Sequence, residues 1–132
     1  KENLINFIKD KKLTSKVNLI TWTNDLSKYY KHSKILILPS FFEGFGNVLI
    51  EALHFGLPIV STNCSGGPKE ILCDNEYGIL VKNYSPQELA TGIMQILSGK
   101  KFFNKDVLKN RAEEFSPQKI AAKYLNLIDN GH

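Results

Sequence analysis

Two glutamates frame the stretch of this sequence best suited to chemistry: Glu43 and Glu51, with Gly44, Phe45, Gly46, Asn47 and Val48 following the first. The run Ile35-Leu36-Ile37-Leu38, stopped by Pro39, reads as a strand buried on both faces of a parallel sheet. Gly44 and Gly46 then let the backbone turn sharply and a ligand approach closely, and a helix follows. The first amides of such a helix are unpaired and its dipole adds partial positive charge, so its tip favours an anion. Glu43 stands just before that tip. Glu51, four residues beyond Asn47, lies on the helix face that leads back to it. Val48, Leu49, Ile50, Ala52, Leu53 and Phe55 make the helix apolar nearly all round, which predicts a core helix in which a charge at Glu51 needs a partner.

Other chemistries fail on specific points. A glycosidase pair would flank a scissile bond with carboxylates about 5–9.5 Å apart. Here both glutamates project from one turn-helix unit, Glu51 about 7 Å along the axis from the tip at a rise of about 1.5 Å per residue, a placement that grips one extended ligand. Leu49 stands where a dinucleotide fingerprint needs its third glycine, and no Walker sequence is present. His32, His54 and His132 have no acidic or serine partner at a recognisable spacing, so surface or packing roles are expected for them. Asp74-Asn75-Glu76 falls in a turn before a strand, and no metal is expected.

The elements that must position these residues alternate. A surface helix over 2–13 carries Leu4, Ile5 and Ile8, and 17–22 reads as a strand ending at Trp22. Asn24 or Asp25 can cap a short helix through Leu26, Tyr29 and Tyr30 that delivers the chain to the buried strand. The helix after Glu43 stops at Gly56, with Pro58 opening a strand over 58–62. Asn63-Cys64-Ser65-Gly66-Gly67 is a loop, and Pro68 suits the first turn of a helix through Lys69, Glu70, Ile71 and Leu72. That unit reads either as a second helix tip aimed from a strand end or as a plain loop and helix start. A turn over 74–78 leads to a strand at 79–81, and Ser85-Pro86-Gln87-Glu88 carries a capping-box pattern for a helix closed by Gly99. Helices are predicted over 101–114 and 117–129, the last burying a stripe of Ile120, Tyr124, Leu127 and Ile128. Strands alternating with helices predict a parallel α/β sandwich with helices on both faces, whose ligand site lies outside the carboxyl ends of the strands.

Composition bounds the rest. The 132 residues, 42% of them hydrophobic, suit one domain with a real core. The formal charge of +4 comes from scattered lysines, which reads as solvated faces and not as a nucleic-acid patch. Cys64 and Cys73 have neither zinc nor redox spacing, which predicts free thiols in a reducing compartment. No apolar run is long enough to span a membrane. The chain opens at Lys1 directly into helical pattern, as a piece of a longer protein would, with any targeting signal out of view.

Taken together, Glu43-Gly44-Phe45-Gly46, Glu51-Ala52, Gly56-x-Pro58, Gly66-Gly67-Pro68-Lys69-Glu70-Ile71-Leu72 and Gly78-Ile79-Leu80-Val81 resemble the C-terminal, nucleotide-sugar-binding half of family-4 retaining glycosyltransferases of the GT-B fold. The signature is two glutamates with seven residues between them. The resemblance implies a Rossmann-like three-layer sandwich, residues 1–132 forming the donor domain of a longer two-domain enzyme. It implies that Glu43 contacts the donor sugar at the reaction centre, and that Phe45, Gly46, Asn47 and Val48 offer amides to the sugar and pyrophosphate. Glu51 would hold the ribose hydroxyls, Trp22, Thr23 and Asn24 would border the base, and Gly66, Gly67 and Lys69 are further donor-site candidates. The family often has glycine near Thr23.

The activity so implied is transfer of a hexose or N-acetylhexosamine from a UDP-sugar to a glycan or lipid-linked acceptor, with retention and without a metal or cofactor. The partners implied are the nucleotide sugar, the acceptor and an N-terminal acceptor domain of the same chain, in a cytoplasmic protein peripheral to the inner face of the membrane. The arginine and lysine with which such enzymes clamp the diphosphate belong upstream of this sequence. A helix tip contributes about 0.3–2 kcal/mol toward an anion, whereas micromolar binding needs about 8 kcal/mol. The piece alone is therefore expected to bind a nucleotide sugar weakly and not to turn it over. The competing readings are a non-catalytic nucleotide-sugar-binding module and a nucleotide-sugar epimerase of the same architecture.

Overall fold

Ile59-Val60-Ser61-Thr62 is buried at every residue, as a central parallel strand must be when both of its faces are covered. In the computed structural model, which describes residues 2–129, it is the middle of a three-stranded parallel sheet. β1 (Leu36–Leu38), β2 (Ile59–Thr62) and β3 (Ile79–Val81) pair in that order, with Leu36 opposite Ile59 and Val60 opposite Ile79. The helices are α1 (Glu2–Asp10), α2 (Ser27–His32), α3 (Asn47–His54), α4 (Pro68–Leu72), α5 (Pro86–Leu97), α6 (Lys105–Glu113) and α7 (Pro117–Asp129).

Strand alternation sorts the helices onto two faces. Ile59 joins Leu49, Leu53, Leu72 and Leu108 in the main core, so α3, α4 and α6 cover that side. Val60 points the other way, where α5 lies so close that a β-carbon on Gly92 would come within 3.1 Å of Val60 Cγ1. The result is the three-layer α/β sandwich expected from the alternating pattern. The capping box is half formed: Ser85 Oγ accepts the Glu88 N–H at 3.3 Å, while the Glu88 carboxylate turns to the Lys82 N–H at 3.0 Å.

Four expectations are corrected. Residues 17–22 form no strand, and Val17, Leu19, Ile20 and Trp22 are exposed. An apolar alternation marks a segment that can be buried, but a strand also needs a ladder, and this segment makes none with the open outer edge of β1. β1 itself is not buried on both faces: Ile37 is exposed between half-buried Leu36 and Leu38. The helix predicted over 101–114 begins only at Lys105, because Phe103 is drawn into the core and Asn104 Oδ1 caps the Asp106 and Val107 amides at 2.9 and 3.4 Å. The stripe of α7 is not buried: Ile120 is half-covered, whereas Tyr124, Leu127 and Ile128 are exposed. Helical spacing specifies an apolar face without specifying what lies against it. His132 lies outside the described residues.

Candidate functional site

β1 ends at Leu38, and the chain leaving it is fastened by the last residue of β2. Thr62 Oγ1 donates to the Ser40 carbonyl and reaches the Leu38 carbonyl at 3.3 Å. Ser40, so placed, donates through Oγ to Glu43 Oε1 at 2.5 Å. Glu43 is therefore a held carboxylate at the carboxyl edge of the sheet, half-buried and with one oxygen engaged. The turn then passes through Gly46 at φ +87°, a left-handed conformation that side chains rarely adopt, and enters α3. No side chain caps this helix, so its tip presents backbone amides beside Glu43.

The second glycine loop lies directly on the first. Phe42 and Ser65 form an isolated parallel bridge, and the Glu43 N–H donates to the Ser65 carbonyl at 3.3 Å. β-carbons on Gly66 and Gly67 would fall 2.0 Å from the Glu43 carbonyl oxygen and 1.7 Å from that of Phe45. The Gly66-Gly67 pair thus permits backbone to meet backbone and seats one loop against the other. α4 follows with only five residues. Its last carbonyls are gripped by Arg111 of α6, whose Nε donates to Ile71 O at 3.0 Å and whose Nη2 donates to Glu70 O at 2.6 Å. Lys69 is exposed and lies 3.5 Å from Asp74, a surface ion pair at the turn after α4.

Glu51 does not sit in a helix buried all round. α3 buries Leu49, Ala52 and Leu53 and exposes Asn47, Glu51 and His54, because those positions share the opposite side. The Glu51 carboxylate is engaged within the chain by a residue the sequence did not point to: the Tyr30 hydroxyl donates to Glu51 Oε2 at 2.8 Å. Burial first, and then the Glu51 hydrogen bond and charge, push the Tyr30 phenol well above its ordinary value. Both residues line a cavity of about 500 Å³ whose other walls include Asn24, Leu26, Ile50 and Phe115. Asp25 helps build that wall, accepting the Ser27 amide at 2.9 Å and hydroxyl at 2.6 Å, bonds that lower its pKa. Thr23 Oγ1 turns to the Asp25 backbone, and Trp22 is 78% exposed, so these two stand beside the cavity and do not line it.

One turn-helix unit thus carries two held carboxylates, Glu43 just before the uncapped start of α3 and Glu51 in its second turn, where it faces the cavity. The family described as "Glycosyl transferases group 1" matches residues 1–116. The chain belongs to the group 1 glycosyltransferases. It is 36% identical over 129 residues to an uncharacterized glycosyltransferase of Haemophilus influenzae, covering 96% of this chain and 36% of that protein. It is 33% identical over 130 residues to the N-acetylgalactosamine-N,N'-diacetylbacillosaminyl-diphospho-undecaprenol 4-alpha-N-acetylgalactosaminyltransferase of Campylobacter jejuni, covering 97% of this chain and 36% of that protein. Among solved structures, sucrose-phosphate synthase from Thermosynechococcus elongatus superposes with a TM-score of 0.83 at 25% identity, over 97% of this chain and 33% of that one. The chain spans about a third of the length of the relatives it matches. Its fold is that of the C-terminal half of the GT-B glycosyltransferases.

In this glycosyltransferase domain, reading the sequence missed Ser40, Thr62, Tyr30 and Arg111 as supports of the site. Tyr30 acts on a residue distant in sequence, and Thr62 and Arg111 act through backbone carbonyls, relations that leave no spacing to find; Ser40 stands three residues before Glu43, a local spacing that could have marked it as a support. His54 likewise meets an acidic partner that spacing hides, its Nδ1 lying 3.9 Å from Glu113 of α6. Cys64 is a small buried residue and Cys73 is exposed, both free thiols. Asn75 Oδ1 accepts the Leu80 amide at 2.6 Å, so this member of the acidic turn is committed to holding β3.

Proposed function

We propose that this domain is the donor-holding half of a retaining glycosyltransferase that moves a hexose or N-acetylhexosamine from a UDP-sugar to a glycan or lipid-linked acceptor. The observation that carries the proposal is a pair of held carboxylates on one turn-helix unit, Glu43 bonded by Ser40 just before the uncapped start of α3 and Glu51 bonded by Tyr30 in its second turn. Glu43 takes hydroxyls of the donor sugar beside the reacting carbon. The amides of Phe45, Gly46, Asn47 and Val48 face the sugar and pyrophosphate, and Glu51 receives the ribose hydroxyls. Trp22 and Thr23 border the base, with Gly66 and Gly67 seating the loops and Lys69 at the margin.

Negative charge develops on the departing diphosphate, and preorganised amides aimed at that charge lower its energy without reorganising. The tip does this together with an arginine and a lysine supplied by the longer chain, so that no metal is required. An N-terminal domain of the same chain presents the acceptor. A lipid-linked acceptor agrees with the diphospho-undecaprenol in the name of the Campylobacter relative. It also agrees with a cytoplasmic protein at the inner face of the membrane. Among the described residues, no helix is long and apolar enough to cross a membrane.

The test is transfer by the full-length protein with a panel of UDP-sugars, the anomeric configuration of the product being read by NMR. Transfer with retention, abolished in Glu43→Ala, is expected. Inversion, or unchanged transfer by Glu43→Ala, would overturn the mechanism. The 132-residue piece should bind UDP-sugars weakly and show no transfer. Tight binding by the piece in a calorimetric titration would contradict that division of labour.

A further inference from the structure

We infer that Tyr30 is a positioning residue for the nucleotide, its hydroxyl holding the Glu51 carboxylate in the orientation that receives the ribose diol. The inference rests on the reading of Glu51 as the ribose-holding group and names what makes that group effective. Glu51 lies on the exposed side of α3 and by itself would sample many rotamers, an entropy lost on binding. Tyr30 does not have that freedom. Its ring is buried in the main core, stacks on Phe55 at 5.5 Å between centroids, and comes from α2, a separate element whose one buried residue it is. The hydroxyl is consequently a fixed donor, and it is 2.8 Å from Glu51 Oε2.

The stoichiometry of lone pairs fits a ligand. A carboxylate offers about four acceptor sites, and the phenol occupies one of them on Oε2. Oε1 and the remaining site on Oε2 suffice for two vicinal hydroxyls, on the side where both residues line the cavity. The phenol stays protonated throughout the neutral range, since burial and the adjacent carboxylate both oppose its ionisation. It therefore remains a donor whenever Glu51 is an acceptor. α2 also begins at the wall formed by residues 24–27, so one short helix ties that wall to the carboxylate.

The experiment compares UDP with 2′-deoxy-UDP as probes of the full-length protein, by NMR titration of the parent, Tyr30→Phe, Glu51→Gln and the double variant. Phe keeps the ring and its stacking and deletes only the hydroxyl. The parent should prefer UDP. Tyr30→Phe should weaken UDP about three- to tenfold and shrink its preference over the deoxy nucleotide. The double variant should bind no worse than Glu51→Gln alone, because the hydroxyl acts only through the carboxylate.

A Tyr30→Phe variant with parental affinity and preference, beside a Glu51→Gln variant that has lost both, overturns the role of Tyr30 and leaves that of Glu51 standing. Equal weakening of both nucleotides by Tyr30→Phe would mark a structural role and also overturns it. Unchanged preference in Glu51→Gln removes the reading on which the inference rests. The parent protein with ring-labelled tyrosine supplies a reading that needs no variant. The Tyr30 Cζ resonance should move on saturation with UDP and less with 2′-deoxy-UDP, and a resonance unmoved by either counts against the inference.

Discussion

A β-carbon added to Gly67 would lie 1.7 Å from the carbonyl oxygen of Phe45. The two strand-end loops therefore touch backbone to backbone, and the obstacle is a peptide that cannot rotate away as a side chain could. Gly67→Ala should cost about 2–3 kcal/mol of stability, through parting of the loops and loss of the Phe42–Ser65 bridge. Gly44, where an added β-carbon meets nothing within 4 Å, should accept alanine within about 0.5 kcal/mol. Urea denaturation of the two variants checks the contrast, and equal midpoints would show that the loops part freely.

Ser40→Ala removes the donor that holds Glu43. Hydrogen bonds to a charged group are worth about 1.5–3 kcal/mol, so kcat/KM of the full-length transferase should fall tenfold or more, on the order of one such bond. UDP without its sugar does not reach Glu43 in the proposed arrangement, and its dissociation constant should be unchanged. Steady-state kinetics beside a UDP titration separates the two effects. A matching loss of UDP affinity would mean that Ser40 shapes the whole tip.

Arg111 joins α6 to the last turn of α4, with its side chain only 13% exposed, stacked over Tyr77 and Phe115, and paired with Glu114. Arg111→Met should cost about 2–3 kcal/mol, because it strands the Ile71 carbonyl and removes the guanidinium from between Tyr77 and Phe115. Arg111→Lys should recover less than half of that, since a single ammonium cannot serve two carbonyls and a carboxylate from one plane. Thermal or urea unfolding measures both, and full recovery by lysine would show that charge alone matters.

The raised pKa of Tyr30 has a defined consequence for stability against pH. The folded chain keeps this proton above the ordinary phenol value of 10.0, whereas the unfolded chain releases it there. The native advantage is thus fully present below pH 10 and is lost as pH rises beyond it. Tyr77, raised by its hydrogen bond to Glu76, acts in the same direction. Denaturation midpoints of the parent and of Tyr30→Phe, followed from pH 8 to about pH 11, should converge as alkali removes the parent's advantage. Parallel curves would show that Tyr30 is not protected.

The sequence by itself determined the alternation of strands and helices from β1 onward and the turn at Gly44 and Gly46 that leads into a helix. These are local matters, in which periodicity, glycine and proline act on neighbouring residues. It also indicated that Glu51 needs a partner, although it placed that residue in a buried helix when α3 in fact exposes it. Only the tertiary structure supplied Tyr30, because a residue 21 positions away becomes a neighbour only once its ring is seated in the core beside Phe55. Only the tertiary structure assigned Gly66 and Gly67 to loop-on-loop contact, and only it left residues 17–22 without a ladder and α7 with an uncovered stripe. Apolar spacing states which face of an element can be buried; what covers that face, and which carboxylate is held by which hydroxyl, depends on surfaces brought together across the fold.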